Sequence, residues 1–78
     1  MTLAEAPSIP LQSSLLSNVA YASSESILQL EFRDGAVYQF FDVPKEIYNR
    51  LLAAESKGNY FNRQIRSCFR YALLRPAR

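Results

Sequence analysis

The sequence contains no histidine and no tryptophan, and only one cysteine and two glycines in 78 residues. Without an imidazole there is no histidine base, so Ser-His-Asp and Cys-His nucleophile arrangements are excluded. A zinc site would have to be assembled from one thiol and scattered carboxylates, a poor match to tetrahedral zinc sets, and no metal is expected. Cys68 has no partner for an internal disulfide, which favours a reducing compartment. There is no glycine-rich phosphate loop, and no cofactor is expected. No apolar stretch approaches the roughly 20 residues of a membrane span. Met1–Pro10 has neither the basic start nor the apolar stretch of a secretory signal. The chain reads as cytoplasmic, with no membrane partner.

Acidic residues are absent from the C-terminal part. Up to residue 56 there are three cations against seven acids, a net of −4. From residue 57 onward Lys57, Arg63, Arg66, Arg70, Arg75 and Arg78 face no acid, a net of +6. This one-sided block is the strongest electrostatic feature of the sequence.

What is present fits one small domain with a thin core. Hydrophobic residues make up 49%, and five Tyr and five Phe supply large apolar areas. Residues 1–12, with Pro7 and Pro10, show no regular period and read as a mobile N-terminal arm. Residues 13–74 form the domain and 75–78 a tail. Within the domain, 13–18 is a polar lead-in, 19–22 a short strand and 23–26 a turn. In 27–33, Leu28, Leu30 and Phe32 alternate with Gln29, Glu31 and Arg33, the period of a half-buried strand. Asp34-Gly35 is a hairpin signal, and 36–42 is the return strand. Pro44 opens a helix over 45–54 with Ile47, Leu51 and Ala54 on one face and Tyr48 and Leu52 beside them. Ser56 can cap a second helix over 59–67, with Phe61 and Ile65 on its buried side. Residues 69–74 offer a fourth short strand. The fold class is α+β: a three-stranded antiparallel meander packed by two short helices, with a possible fourth strand.

The ordered set Phe32, Gly35, Val37-Tyr38, Phe40, Val43-Pro44, Ser56-Lys57-Gly58, Tyr60-Phe61-Asn62, Ile65-Arg66 and Tyr71, preceded by Ser17, Val19 and Tyr21, resembles the KTSC domain family. The resemblance runs from about Ser13 to Tyr71. The family takes its name from an appendage of some lysyl-tRNA synthetases and also occurs as short stand-alone bacterial proteins. RNA binding is the role suggested for it, so the resemblance implies an RNA partner. A Tyr-x-Tyr is typical of the family. Here it reads Tyr38-Gln39-Phe40, which keeps a second ring for packing or stacking but loses its hydroxyl.

The placement of Tyr38 and Phe40 turns on the hairpin register. A two-residue loop sets Phe32 opposite Val37 and puts both rings on the outer face. A three-residue loop with a Gly bulge sets Phe32 opposite Ala36 and Leu30 opposite Tyr38, on the inner face. The outer option displays a stacking platform. It also drives Gln39 into the core without partners, which favours the inner option.

Arg63, Arg66 and Arg70 recur at intervals of three and four. On a helix long enough they share one solvated face, which Lys57 can join. They are either an ordinary solvated helix face or a phosphate-contacting patch. Tyr60 and Asn62 flank them and could stack a base and bond its edge; the plainer roles are covering the sheet edge and tying down a loop. Cys68 reads as a buried structural thiol. Glu25, Glu31, Asp34 and Asp42 read as solvated carboxylates near the hairpin. The expectation is a non-enzymatic binding module that contacts RNA through its basic C-terminal half. Lys57, Arg63, Arg66 and Arg70 would hold phosphates, and Tyr38, Phe40 or Tyr60 would stack bases beside Asn62. The alternative is a protein-interaction module, homodimeric or using its arginine face against an acidic partner.

Overall fold

A computed structural model describes residues 8–78. Seven elements follow one another: β1 (Ile9–Pro10), β2 (Leu16–Ala22), β3 (Ile27–Phe32), β4 (Val37–Phe40), α1 (Lys45–Ala53), α2 (Lys57–Gln64) and β5 (Tyr71–Arg75). The strands form one antiparallel sheet in the order β1-β2-β3-β4-β5. The expected three-stranded meander is therefore the middle of a five-stranded sheet. β5 adds the fourth strand anticipated near the C-terminus. β1 is a correction: Ile9 pairs with Val19 and Pro10 with Asn18, and Leu11 is buried. Residues 1–7 of the expected arm lie outside the described residues, but the sheet begins before residue 13. Among the described residues, no helix is long and apolar enough to cross a membrane.

The hairpin takes the three-residue form. The Phe32 N–H donates to Ala36 O at 2.8 Å, and the Gly35 N–H to Phe32 O at 2.9 Å. Gly35 has φ +98°, in the left-handed region that other residues rarely adopt. The resulting register sets Leu30 opposite Tyr38 and Leu28 opposite Phe40. Gln39 falls on the other face, where its side-chain amide donates to Gln29 Oε1 at 3.1 Å. The polar Gln39 is thus kept out of the core and paired, as the three-residue loop requires. The same outer face carries Glu31, held by Asn18 at 3.3 Å and Arg75 at 3.0 Å.

The inner face is the core. Leu16, Val19, Leu28, Leu30, Phe40 and Val43 pack with Leu51 of α1 and with Phe61 and Ile65 from the second helical segment. Tyr48 on α1 stacks on Tyr21 of β2, with centroids 4.9 Å apart and planes 12° apart. Burial pushes the Tyr48 phenol above its ordinary pKa. The Tyr21 hydroxyl donates to Val43 O at 2.6 Å, tying β2 to the entrance of α1. Pro44 stands at the N-cap of α1 with extended backbone, and Ser56 caps α2 by accepting from the Asn59 N–H at 3.3 Å. Arg33 fastens the N-terminal segment. Its guanidinium donates to Ser13 O at 2.9 Å and to Leu11 O at 3.0 Å.

Two expectations are corrected beyond Phe61. The helix expected over 59–67 starts at Lys57 and stops at Gln64, because the N–H groups of Ile65 and Arg66 both donate to Phe61 O, at 3.0 and 2.9 Å. Cys68 is exposed rather than buried, since it lies on the turn that leaves the helix.

The hairpin also anchors the C-terminal segment, through the Arg78 N–H on Asp34 O at 2.8 Å. A Cβ on Gly35 would stand 2.5 Å from Arg78 Nε. Gly35→Ala should therefore lower stability by about 1–3 kcal/mol, mostly through backbone strain, since the arginine tip can move. Urea denaturation checks this; an unchanged midpoint would contradict the turn assignment.

Candidate functional site

Two helices packed about 10 Å apart cover the width of about four strands spaced about 4.8 Å apart, so a fifth strand is left over. α1 stands over β2 through Tyr48 on Tyr21. α2 stands over β3 and β4, where Phe61 meets Phe32 at 5.2 Å and Phe40 at 5.6 Å, both edge-on. The inner face of β5 extends past them, and Tyr71 is 59% exposed.

The gap is a cleft of about 720 Å³. Phe32, Tyr38, Phe40, Tyr71 and Leu73 of the sheet form its floor, and Phe61 its inner wall. The floor rings touch one another: Tyr38 lies 5.7 Å from Tyr71 and 6.2 Å from Phe40, and Phe40 lies 5.8 Å from Tyr71. Asn62 and Arg66 stand on one rim, both exposed. Asp34, Ala36, Pro76 and Ala77 close the opposite end. The cleft thus offers ring faces, one guanidinium, one amide and one carboxylate. That set suits a planar ligand held by stacking beside a charged group.

The eight residues singled out in the sequence separate into two groups. Tyr38, Phe40, Asn62 and Arg66 come together at the cleft, although Phe40 is buried and offers little surface. Lys57, Arg63, Arg70 and Tyr60 lie elsewhere. Lys57 Nζ donates to Ala54 O at 3.0 Å and so closes the end of α1. Arg63 and Tyr60 line a shallow recess with Glu55 and Asn59. The Tyr60 hydroxyl is buried without a hydrogen-bond partner among the described residues. Arg70 follows the turn, pairs with Asp42 at 3.0 Å and lies over the Phe41 ring at 5.5 Å. The single helical face expected for Arg63, Arg66 and Arg70 does not exist, because α2 ends before two of them. Phe32, Phe61, Tyr71 and Leu73 were not singled out as site residues. The signal for two of them is in the sequence: Tyr71 and Leu73 alternate along the last strand as Tyr38 and Phe40 do along β4.

The comparison with known proteins decides the family. The sequence matches the KTSC domain over residues 12–71, most of the chain. The chain belongs to the KTSC domain family. A protein of Tsukamurella paurometabola is 40% identical over 65 residues, which span 83% of this chain and 97% of that protein. A lysine–tRNA ligase of Trichormus variabilis is 35% identical over 68 residues, 87% of this chain but only 12% of the ligase. In the solved structure of a KTSC domain protein from Yersinia pestis the fold recurs with a TM-score of 0.85 at 26% identity, over 88% of this chain and 97% of that one. The KTSC domain is thus a small α+β fold, here with a five-stranded antiparallel sheet and two helices.

Phe61 in the wall of this KTSC cleft and Tyr71 in its floor differ in what they support. Phe61 is 5% exposed and anchors α2, so Phe61→Ala should cost about 3–5 kcal/mol. Tyr71 is 59% exposed, with Tyr38 and Phe40 as its ring neighbours, so Tyr71→Ala should cost about 1 kcal/mol or less. Thermal or urea unfolding of the pair checks this. Equal losses would mean that β5 belongs to the core and not to an open cleft.

Proposed function

We propose that this KTSC domain is a non-enzymatic binding module for single-stranded RNA, and that the cleft between α2 and β5 is where it binds. The observation that carries this reading is a cleft lined by the exposed Tyr71 ring, the half-buried Tyr38 ring and Arg66. Unpaired bases present ring faces and edges, and proteins that read them supply aromatic platforms and bidentate arginines. Asn62 is placed to bond a base edge, and Arg66 to hold the adjoining phosphate. The acid-free stretch from Lys57 to Arg78 favours an anionic partner. The occurrence of a similar segment in lysine–tRNA ligases supports the same class of partner.

On this reading the phosphate contacts are fewer than the cations in the segment. Lys57 and Arg70 are engaged within the chain. Arg66 is on the rim, and Arg63 is the next cation along the chain, three residues before it. A titration of short single-stranded RNA should therefore show log affinity falling with log salt at a slope of about −1, and not the −3 that four cations would give. Tyr71→Ala and Arg66→Ala should each weaken binding about ten-fold, within the range of one stacked base or one charged hydrogen bond. The absence of binding at low salt, or binding indifferent to both substitutions, would sink the proposal.

A further inference from the structure

The two edges of the sheet are unlike. β1 is two residues long and includes Pro10, which cannot donate to a neighbouring strand. β5 is five residues long, contains no proline or lysine, and among the described residues has β4 as its only neighbour. Three of the four large hydrophobic side chains exposed among the described residues lie on it: Tyr71 at 59%, Leu73 at 51% and Leu74 at 52%. Soluble proteins usually blunt such an edge or use it. The bulge between β4 and β5 falls at the Val37/Tyr38 step, leaving Tyr71 to Leu73 in regular register.

Charge indicates the occupant. Arg70 and Arg75 bracket the strand, and each is already held by an acid of its own chain, Asp42 and Glu31, at 3.0 Å. Between them Tyr71 to Leu74 carry no charge, so the strand itself offers an acidic peptide no counter-ion. A second copy of β5 would meet no like charge along Tyr71 to Leu74. Turned antiparallel about Leu73, the strand is complementary to itself. Leu73 meets Leu73, and Ala72 meets Leu74, so apolar side chains face apolar side chains across the pairing.

We infer that two copies of this chain pair antiparallel along β5 into a two-fold dimer with one continuous ten-stranded sheet. The two-fold axis of such a pair is perpendicular to the sheet, so both inner faces lie on the same side. The two Tyr38 rings then stand three inter-strand spacings apart, about 14 Å. If the RNA reading holds, one strand of RNA can cross both clefts; the dimer itself does not depend on that reading. An edge pairing buries little surface, so association should be weak, with a dissociation constant on the order of 10 μM.

Sedimentation of the full chain without RNA, from about 1 to about 500 μM, brackets an affinity of that order. The mass should rise from 8.9 kDa towards twice that value. Leu74→Lys, which lies outside the cleft floor, should raise the dissociation constant at least about ten-fold, as a lysine on an edge strand opposes pairing. Its circular dichroism should match the parent. A readout independent of any variant is available in a mixture of labelled and unlabelled chains, where inter-chain nuclear Overhauser effects should join the Leu73 methyls. A parent that stays monomeric, a dimer indifferent to Leu74→Lys, or inter-chain contacts at another surface would each overturn the proposal. So would a monomer whose β5 instead accepts an acidic peptide.

Discussion

Gly35 sits at φ +98° between Asp34 and Ala36, and that conformation lets a three-residue loop close β3 onto β4. The loop decides the register, and the register decides which face every side chain of both strands occupies. A slip of one residue would send Tyr38 and Phe40 to the outer face and Gln39 inward. With the loop as it is, Leu28 and Leu30 join Phe40 under the helices, and Gln29 and Gln39 bond each other on the far side. Phe32 and Tyr38 then meet at 5.5 Å, which begins the aromatic floor. Core and cleft are thus one surface, set by one turn.

That surface divides because cover is limited. Two short helices cannot roof five strands, and the part left incompletely covered is the part richest in rings. Small domains bury a modest fraction of their surface, so an open apolar face lowers a margin that is already thin. A face kept open under that constraint marks an interaction site more readily than a packing defect. The cations follow a similar division. Lys57, Arg70 and Arg75 each bond within the chain, whereas Arg66 is left beside the rings.

Much of this was legible from the residues, where a local physical rule applied. Alternation in β3, the Asp34-Gly35 turn, the polar Gln39 and the Ser56 cap each give the structure they imply. β1 escaped because two residues ending in proline carry no strand signal; its place comes from Leu11 being drawn into the core and from Arg33 binding the carbonyls of Leu11 and Ser13. The end of α2 escaped because no glycine or proline marks it; Phe61 O simply accepts two N–H groups. An arginine face inferred from spacing fails with it, and Cys68 surfaces for the same reason. The sequence also posed Tyr38 as either core or surface. The third outcome, an inner-face ring only half covered, depends on how wide the sheet is, and that is a tertiary quantity.

On the proposed reading the rings between α2 and β5, and not the basic segment as a whole, receive the ligand. An aromatic carbon–proton NMR titration with a short single-stranded RNA tests it most directly. The account predicts that the ring signals of Tyr71, Tyr38 and Phe32 shift together, while the stacked pair Tyr21 and Tyr48, over β2, stays silent. Shifts confined to Tyr60 and the backbone around Arg63, or movement at Tyr21 and Tyr48 with Tyr71 unchanged, would contradict it.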